Sequence, residues 1–220
     1  MSERQVPTPE GPARTTTSVP RGRAAGTLVL GHGAGGLRWT KDVLAVRDAA
    51  LAAGWLVVLV DQPWRVAGRR VGPGPPALDR AWLAVLDSLG DRTVEGRLVV
   101  GGRSAGARVA CRTAAAVRAV AVGALSFPLH PPGRPERSRA EELARPAGGG
   151  IPVHVVQGRT DPFGTPAEVS AVLPPGSTLD PVTGTHSLGG AAAQVAAVVV
   201  ARLVGATPEP PGSEGRPTGE

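Results

Sequence analysis

The stretch RLVVGGRSAGARVA, residues 97–110, places a serine among glycines where an apolar run gives way to an alanine-rich segment. The run LVV predicts a buried strand and the segment after Ser104 predicts a helix, so the serine falls at a sharp strand-to-helix turn. Only small residues fit around such a turn, because it brings backbone segments close together. It would hold the hydroxyl within reach of a base, with the positive end of a helix facing any developing negative charge.

Apolar strands alternate with helices on both sides of this turn. Strands are predicted at 27–33, 55–61, 97–101, 119–126, 151–157 and 177–182, and helices at 41–54, 75–90, 104–117, 166–173 and 189–206. The strands are apolar throughout, which is typical of parallel sheets that are covered on both faces. The sequence therefore predicts a doubly wound, mostly parallel α/β domain over residues 25–206, with helices on both faces and no cap domain.

The two ends of the chain differ from this pattern. Residues 1–24 and 207–220 are rich in proline, glycine, serine, threonine and charge, a composition that buries little apolar surface, so we predict two disordered tails. The first segment lacks the apolar core of a secretory signal. The apolar stretch 189–206 contains Gln194 and Arg202, which favours a buried helix over a membrane span. We expect a cytoplasmic protein with no membrane partner.

The formal net charge of +6 comes almost entirely from arginine, since Lys41 is the only lysine. The arginines are spread along the chain without a basic stripe, stacking aromatics or a recognisable module, which argues against nucleic acid as a partner. Cys111 is the only cysteine, and this excludes an internal disulfide or a cysteine-based metal cluster. We expect a monomer or homodimer that acts on a small molecule without cofactor or metal.

Residues 102–106 satisfy the pattern G-x-S-x-G, which by itself recurs by chance in a glycine-rich chain. The residues that follow give the pattern its weight. Asp161 in GRTDPFG and His186 in VTGTHSL each come just after a predicted strand, at the same sheet edge as Ser104. Taken singly, the three residues are also ordinary helix-cap, turn and loop residues. Together they are the nucleophile, base and orienting carboxylate of acyl transfer, with Asp180 as an alternative acid.

The glycine-rich segment GHGAGG, residues 31–36, follows the first predicted strand. Its glycines allow backbone amides to turn toward the serine, so the N–H of Ala34, or of Gly35, and that of Ala105 are expected to form an oxyanion hole. A phosphate loop is the alternative, but the segment lacks both the G-K-[ST] ending and the G-x-G-x-x-G spacing. His32 is expected to brace this loop.

Proline and charge interrupt the alternation at 62–76 and 128–150, and each interruption follows a predicted strand. We expect these loops to form the walls of an open cleft at the carboxyl edge of the sheet. Trp64 is expected to supply an apolar face, and Arg103 to pair with a nearby carboxylate. The candidates for receiving a polar or anionic substrate group, with solvated loop positions as the alternative, are Arg65, Arg69 and His130.

These motifs, with DQPWRVAGRR at 61–70 and SFPLHPPGRPE at 126–136, make residues 26–204 resemble the α/β hydrolases. More narrowly, the chain resembles the small lidless branch grouped with the testis-expressed and NSL-complex-subunit hydrolase-like proteins. The elbow GGRSAG and the segment SFPLHPPG are the most specific parts of this resemblance. It implies a nucleophile, an acid and a base at Ser104, Asp161 and His186.

The sequence therefore favours a serine hydrolase that cleaves a small ester or thioester through an acyl-enzyme on Ser104. The alternative is a non-catalytic binding protein that retains the same scaffold, for which the open loops and predicted tails give weak support. An intact set of three triad residues favours the enzyme.

Overall fold

One mixed sheet organises the protein, which a computed structural model describes at residues 1–35, 38–90, 93 and 97–204. The strands in these residues are β1 (Ser2–Val6), β2 (Ala13–Ser18), β3 (Thr27–Gly31), β4 (Leu56–Asp61), β5 (Leu98–Arg103), β6 (Ala121–Leu125), β7 (Val153–Gly158) and β8 (Thr178–Val182). Their order across the sheet is β1-β2-β4-β3-β5-β6-β7-β8. The strands from β3 to β8 run parallel to one another, whereas β2 pairs antiparallel with both β1 and β4.

Helices cover both faces of the sheet. They are α1 (Lys41–Ala52), α2 (Pro63–Val66), α3 (Pro75–Leu89), α4 (Ala105–Thr113), α5 (Ala140–Ala144), α6 (Pro166–Ser170) and α7 (Ala192–Val199). Helices α1 and α7 pack on one face, around a core that includes Trp55. Helices α3 and α4 pack on the other, around a core that includes Trp82. The predicted doubly wound, mostly parallel α/β fold is confirmed.

The register of the central strands places the functional edge. Gly31 at the end of β3 lies opposite Gly102 of β5, and Leu125 at the end of β6 lies opposite Arg103. Parallel strands end at the same edge, so the loops after β3, β5, β7 and β8 emerge side by side. This edge receives every residue of the predicted triad.

The predicted N-terminal disordered tail is wrong. Residues 2–18 form the hairpin β1–β2, and residues 14–18 of β2 pair with β4. Val6 and Ala13 enter the core, and Arg14 forms an ion pair with Asp61 at 2.8 Å. Composition missed this because an edge strand is held mainly by backbone hydrogen bonds, which need few apolar side chains.

Several predicted boundaries shift in the structure. The helix after Ser104 ends at Thr113 rather than 117, and the last helix begins at Ala192 and continues as a π-helical turn over Val200–Val204. The predicted C-terminal tail, 207–220, lies outside the described residues. Among those described, no helix has the length and apolarity that crossing a membrane requires.

Candidate active site

The turn after β5 holds Ser104 in a strained backbone conformation, with φ of 53° and ψ of −108°. A non-glycine residue adopts positive φ only at an energetic cost, and such strain is common at functional sites. A Cβ atom on either Gly102 or Gly106 would overlap the backbone of Gly31. The glycines of the G-x-S-x-G pattern are therefore required by the close approach of β3, β5 and α4. The Ser104 N–H donates to the carbonyl of Leu125 at 2.9 Å, which anchors the turn.

A continuous hydrogen-bonded chain joins the three predicted triad residues. The Oγ of Ser104 lies 2.9 Å from Nε2 of His186, and Nδ1 of the same ring lies 2.9 Å and 3.1 Å from the two carboxylate oxygens of Asp161. A carboxylate only accepts hydrogen bonds, so Nδ1 carries the hydrogen of the neutral ring and Nε2 is the acceptor for the hydroxyl. In this geometry Nε2 of His186 faces the Ser104 hydroxyl as a base, and the Asp161 carboxylate accepts the hydrogen bond from the other ring nitrogen.

The Asp161 carboxylate is completely buried and has donors besides the histidine. The backbone N–H of Phe163 donates to its Oδ1 at 2.9 Å, and the Nε2 of Gln157 donates to its Oδ2 at 2.9 Å. Gln157 is also fully buried, and the same amide group lies 2.7 Å from the carbonyl of Gly164. The ring of Phe163 covers His186, with 4.2 Å between ring centroids. The acid and the base are therefore both held in defined orientations.

Arg103, the second residue of the elbow pattern, ties the histidine loop to the elbow. Its Nη2 donates to the carbonyl of His186 at 2.7 Å, and its Nε lies 3.5 Å from the Asp42 carboxylate at the start of α1. The carboxylate is fully buried and only 12 % of the Arg103 side chain is exposed. The predicted pairing of Arg103 with a carboxylate is confirmed. The Arg103 guanidinium also packs against the glycine-rich loop after β3, since a Cβ atom on Gly33 would lie 3.0 Å from Nη1 of Arg103.

His32 supports that loop from inside the protein. Its ring packs between Trp39 and Trp64, with centroid distances of 5.8 Å and 5.2 Å. The Nδ1–H donates to the carbonyl of Gly33 at 2.8 Å, and Nε2 accepts from the backbone N–H of Gln62 at 3.0 Å. Burial lowers the pKa of His32 to about 4, so the ring is neutral at pH 7 and both bonds persist. The expected bracing role is confirmed by these contacts.

A cavity of about 330 Å³ opens beside the elbow. Ala34 and Ala105 both lie in its wall, and neither backbone N–H has an acceptor among the described residues. Two amides without partners at one cavity wall suit the binding of an oxyanion. The apolar part of the wall includes Trp64, Leu78, Val71, Trp82 and Val109. Trp64 therefore supplies an apolar face, as expected.

Arg65 does not line this cavity. Its side chain is buried, with Nε 3.2 Å from Asp61 and the guanidinium 4.8 Å from the ring centroid of Trp39. Burial lowers the pKa of Arg65, and the attraction of Asp61 opposes that effect. The prediction of a substrate contact is corrected to a structural ion pair, because the folded chain already supplies the partner of this guanidinium.

His130 is also engaged within the protein. Its Nδ1 lies 2.9 Å from the carbonyl of Pro131 and its Nε2 lies 3.3 Å from Glu168 of α6, so it links the loop after β6 to that helix. The structure places it outside the wall of the cavity beside Ser104, which corrects the predicted substrate contact. Asp180, the alternative acid, lies on β8 and pairs with Arg202 at 3.2 Å. Asp161 is the carboxylate that contacts His186.

Gln157, Asp42 and Phe163 were not found by sequence reasoning. Gln157 had a visible signal, since it is a polar residue at the end of the mostly apolar run IPVHVVQ. Buried polar side chains require partners, so such a residue at the functional edge points toward a hydrogen-bonded network. Asp42 and Phe163 had no such signal, because their roles depend on contacts between distant segments. The described residues contain no group of three or more histidine, cysteine or acidic side chains that could hold a metal ion.

The chain is similar to known hydrolases in sequence pattern and in structure. A family model described as alpha/beta hydrolase domain matches residues 24–195. An alpha-beta serine hydrolase homologue from Coxiella burnetii has 18% identity and a TM-score of 0.75, covering 92% of this chain and 97% of that one. A serine hydrolase without lid from Xanthomonas campestris has 20% identity and a TM-score of 0.63, with 92% and 94% covered.

A third solved structure is Est1E from Butyrivibrio proteoclasticus, with 16% identity, a TM-score of 0.70, and 93% of this chain and 100% of that chain covered. Identities this low carry the fold and no further property. No curated protein matches the sequence at a significant level.

Proposed function

The chain belongs to the α/β-hydrolase domain family, and from that premise we propose that it is a serine hydrolase that cleaves a small ester or thioester through an acyl-enzyme. One observation carries the proposal: Ser104, His186 and Asp161 form an unbroken chain of contacts of 2.9 Å each. Three side chains from three separate loops meet in the order that nucleophilic acyl transfer needs.

In the first step, the Oγ of Ser104 bonds to the carbonyl carbon of the substrate while its proton passes to Nε2 of His186. Asp161 accepts the hydrogen bond from Nδ1–H and stabilises the imidazolium that forms. The imidazolium then gives its proton to the departing alcohol or thiol, and the carbonyl re-forms as a serine ester. In the second step a water molecule gives a proton to His186 and attacks this ester. The acid leaves and the hydroxyl of Ser104 takes the proton back.

The tetrahedral intermediates place negative charge on the former carbonyl oxygen. We assign the backbone N–H groups of Ala34 and Ala105 to this oxygen, since both lie at the cavity beside Ser104 without acceptors among the described residues. The cavity volume of about 330 Å³ is at the low end for ligand sites, which supports a small acyl group.

The narrower resemblance and the setting are also part of this proposal. The elbow GGRSAG and the segment SFPLHPPG support membership of the small lidless branch grouped with the testis-expressed and NSL-complex-subunit hydrolase-like proteins. The Xanthomonas campestris serine hydrolase also has no lid. We also propose that the protein acts in the cytoplasm, where its sole cysteine, the buried Cys111, stays a free thiol.

Labelling with a fluorophosphonate tests the nucleophile directly. The wild-type protein is expected to bind one probe per chain, and Ser104→Ala to bind none. Ser170→Ala is the matched control, because Ser170 is exposed on α6, and it should label like the wild type. Circular dichroism and a thermal melt establish that each variant is folded. Folded wild-type protein that takes up no probe would reject the enzyme and favour the non-catalytic scaffold.

A further inference from the structure

A second cavity, of about 940 Å³, adjoins the one beside Ser104. The two share Ala34, Trp64 and Arg70 in their walls, so the second cavity begins at the candidate oxyanion loop. Three guanidinium groups line it, those of Arg38, Arg69 and Arg70, and all three residues are exposed. Its described wall contains no acidic residue. We call it the arginine cavity.

Four acidic side chains of the neighbouring elements do not neutralise these arginines, because they are paired with arginines outside the arginine cavity. The pairs are Glu10 with Arg80 at 2.6 Å, Asp42 with Arg103 at 3.5 Å, Asp61 with Arg14 at 2.8 Å, and Asp79 with Arg112 at 2.6 Å. Asp61 is also held by Arg65. For Arg38, Arg69 and Arg70, by contrast, the described residues provide no ion pair.

The neighbouring cavity beside Ser104 shows that a lining arginine can be neutralised within the fold. Arg108 lies in its wall, but its Nη2 and Nε donate to the two carboxylate oxygens of Glu142, at 2.6 Å and 2.8 Å. The attraction of Arg108 and Arg112 lowers the pKa of Glu142 despite its burial, so this partner is ionised at neutral pH. Of the arginines that line the two cavities, those without an ion pair among the described residues therefore all lie in the wall of the arginine cavity.

Positive charge lining a concave surface raises the local concentration of anions. A guanidinium is always charged and presents a planar set of donors that matches carboxylate and phosphate oxygens. Trp39 and Trp64 provide apolar surface in the same wall, and Trp39 already carries the guanidinium of Arg65 against its ring. The arginine cavity therefore combines donors for an oxyacid with an apolar surface for the carbon skeleton attached to it.

We propose that the arginine cavity binds a carboxylate or phosphate group of the substrate, so that the hydrolase acts on anionic esters or thioesters. This inference rests on the proposed function, since the anion is placed relative to an ester bond at Ser104. Arg38, Arg69 and Arg70 hold the anion, and the shared wall at Ala34 and Trp64 connects it to the reacting carbonyl.

Turnover of matched ester pairs tests the proposal. On the acyl side, 4-nitrophenyl hexanoate is compared with the monoester 4-nitrophenyl hydrogen adipate. On the leaving-group side, phenyl butyrate is compared with the butyrate esters of 4-hydroxybenzoate and of 4-hydroxyphenyl phosphate. In at least one series, kcat/KM for the anionic ester is expected to exceed that for the neutral ester by about tenfold or more at low salt. The preferred series identifies the side of the ester, and the leaving-group series also separates carboxylate from phosphate.

The arginines are tested by the ratio of anionic to neutral kcat/KM. R69Q/R70Q and Arg38→Gln are each expected to lower this ratio several-fold, and Arg134→Gln, an exposed arginine on another loop, is expected to preserve it. The proposal is overturned if no anionic ester is preferred, or if the arginine variants keep the wild-type ratio. Continued fluorophosphonate labelling would then leave the proposed hydrolase standing.

A binding measurement tests the anion site independently of the proposed hydrolase activity. Calorimetry with adipate and with inorganic phosphate should show weaker binding of at least one of them to R69Q/R70Q than to the wild-type protein and Arg134→Gln. If the three proteins bind adipate with the same affinity, and also bind phosphate with the same affinity, the arginine cavity is rejected as an anion site. Absence of fluorophosphonate labelling would reject only the hydrolase.

Discussion

Asp161 and Asp42 are two fully buried carboxylates that support His186, the first directly and the second through Arg103, and the protein satisfies them differently. Asp161 accepts directed hydrogen bonds from His186, Gln157 and the Phe163 backbone, at 2.9 Å each. Asp42 faces Arg103 at 3.5 Å, and its two oxygens have no hydrogen bond among the described residues. Hydrogen bonds fix the orientation of the Asp161 carboxylate, on what we call the acid side of His186. On the elbow side, the buried negative charge of Asp42 is balanced by the positive charge of Arg103.

This difference assigns the two carboxylates different tasks. A histidine that must switch between neutral and charged forms needs an oriented acceptor, which Asp161 provides. Arg103 needs a counter-charge so that its guanidinium can remain buried while it holds the carbonyl of His186. Loss of the Asp161 carboxylate should therefore lower kcat, and loss of the Arg103–Asp42 contact should lower the free energy of unfolding.

The largest expected effect follows Asp161→Asn. The amide no longer favours the tautomer that presents Nε2 as a base, so kcat for a neutral 4-nitrophenyl ester should fall by about 10⁴-fold. Asp180→Asn is the matched control, because Asp180 pairs with Arg202 away from His186, and its kcat should stay within about twofold of the wild type. Equal losses in the two variants would remove the distinction between these acids.

Arg103→Met is expected to lower stability. It leaves the buried Asp42 without its counter-charge, and breaking a buried pair from one side costs about 3–5 kcal/mol. Urea denaturation measures the change, and the double variant R103M/D42L should recover most of it because both charges are removed. Arg159→Met replaces an exposed arginine and should change stability little. No recovery in the double variant would contradict the balance of charges on the elbow side.

The smallest expected effect follows Gln157→Leu. The N–H of Phe127, which donates to Gln157 at 2.9 Å, and the carbonyl of Gly164 lose their partner, and the unpaired groups cost about 1–3 kcal/mol. Because Phe163 and His186 still hold Asp161, turnover should fall far less than in Asp161→Asn. Gln194→Leu, at an exposed position on α7, is the control for stability. A loss of kcat as large as that of Asp161→Asn would place Gln157 on a level with the acid.

The sequence was sufficient for the parallel core of the fold. Strands β3 to β7 are apolar and lie between helices with apolar faces, and this local pattern directly reflects burial on both sides of a sheet. It failed for residues 2–18, where the hairpin is held by backbone pairing to β4. Backbone hydrogen bonds are available to any residue except proline, so composition does not reveal them.

At the site, the sequence alone determined which residues are chemically able to act. The turn around Ser104, and the placement of Asp161 and His186 after strands, follow from local patterns that bring residues to one sheet edge. Only the tertiary structure decided which groups these side chains contact. Arg103 contacts His186 and Asp42, while Arg65 and His130 contact groups of the protein outside the cleft. A local pattern fixes the edge at which a side chain emerges. Its partner depends on which distant segments pack beside it, and burial then demands that each charge or polar group be matched.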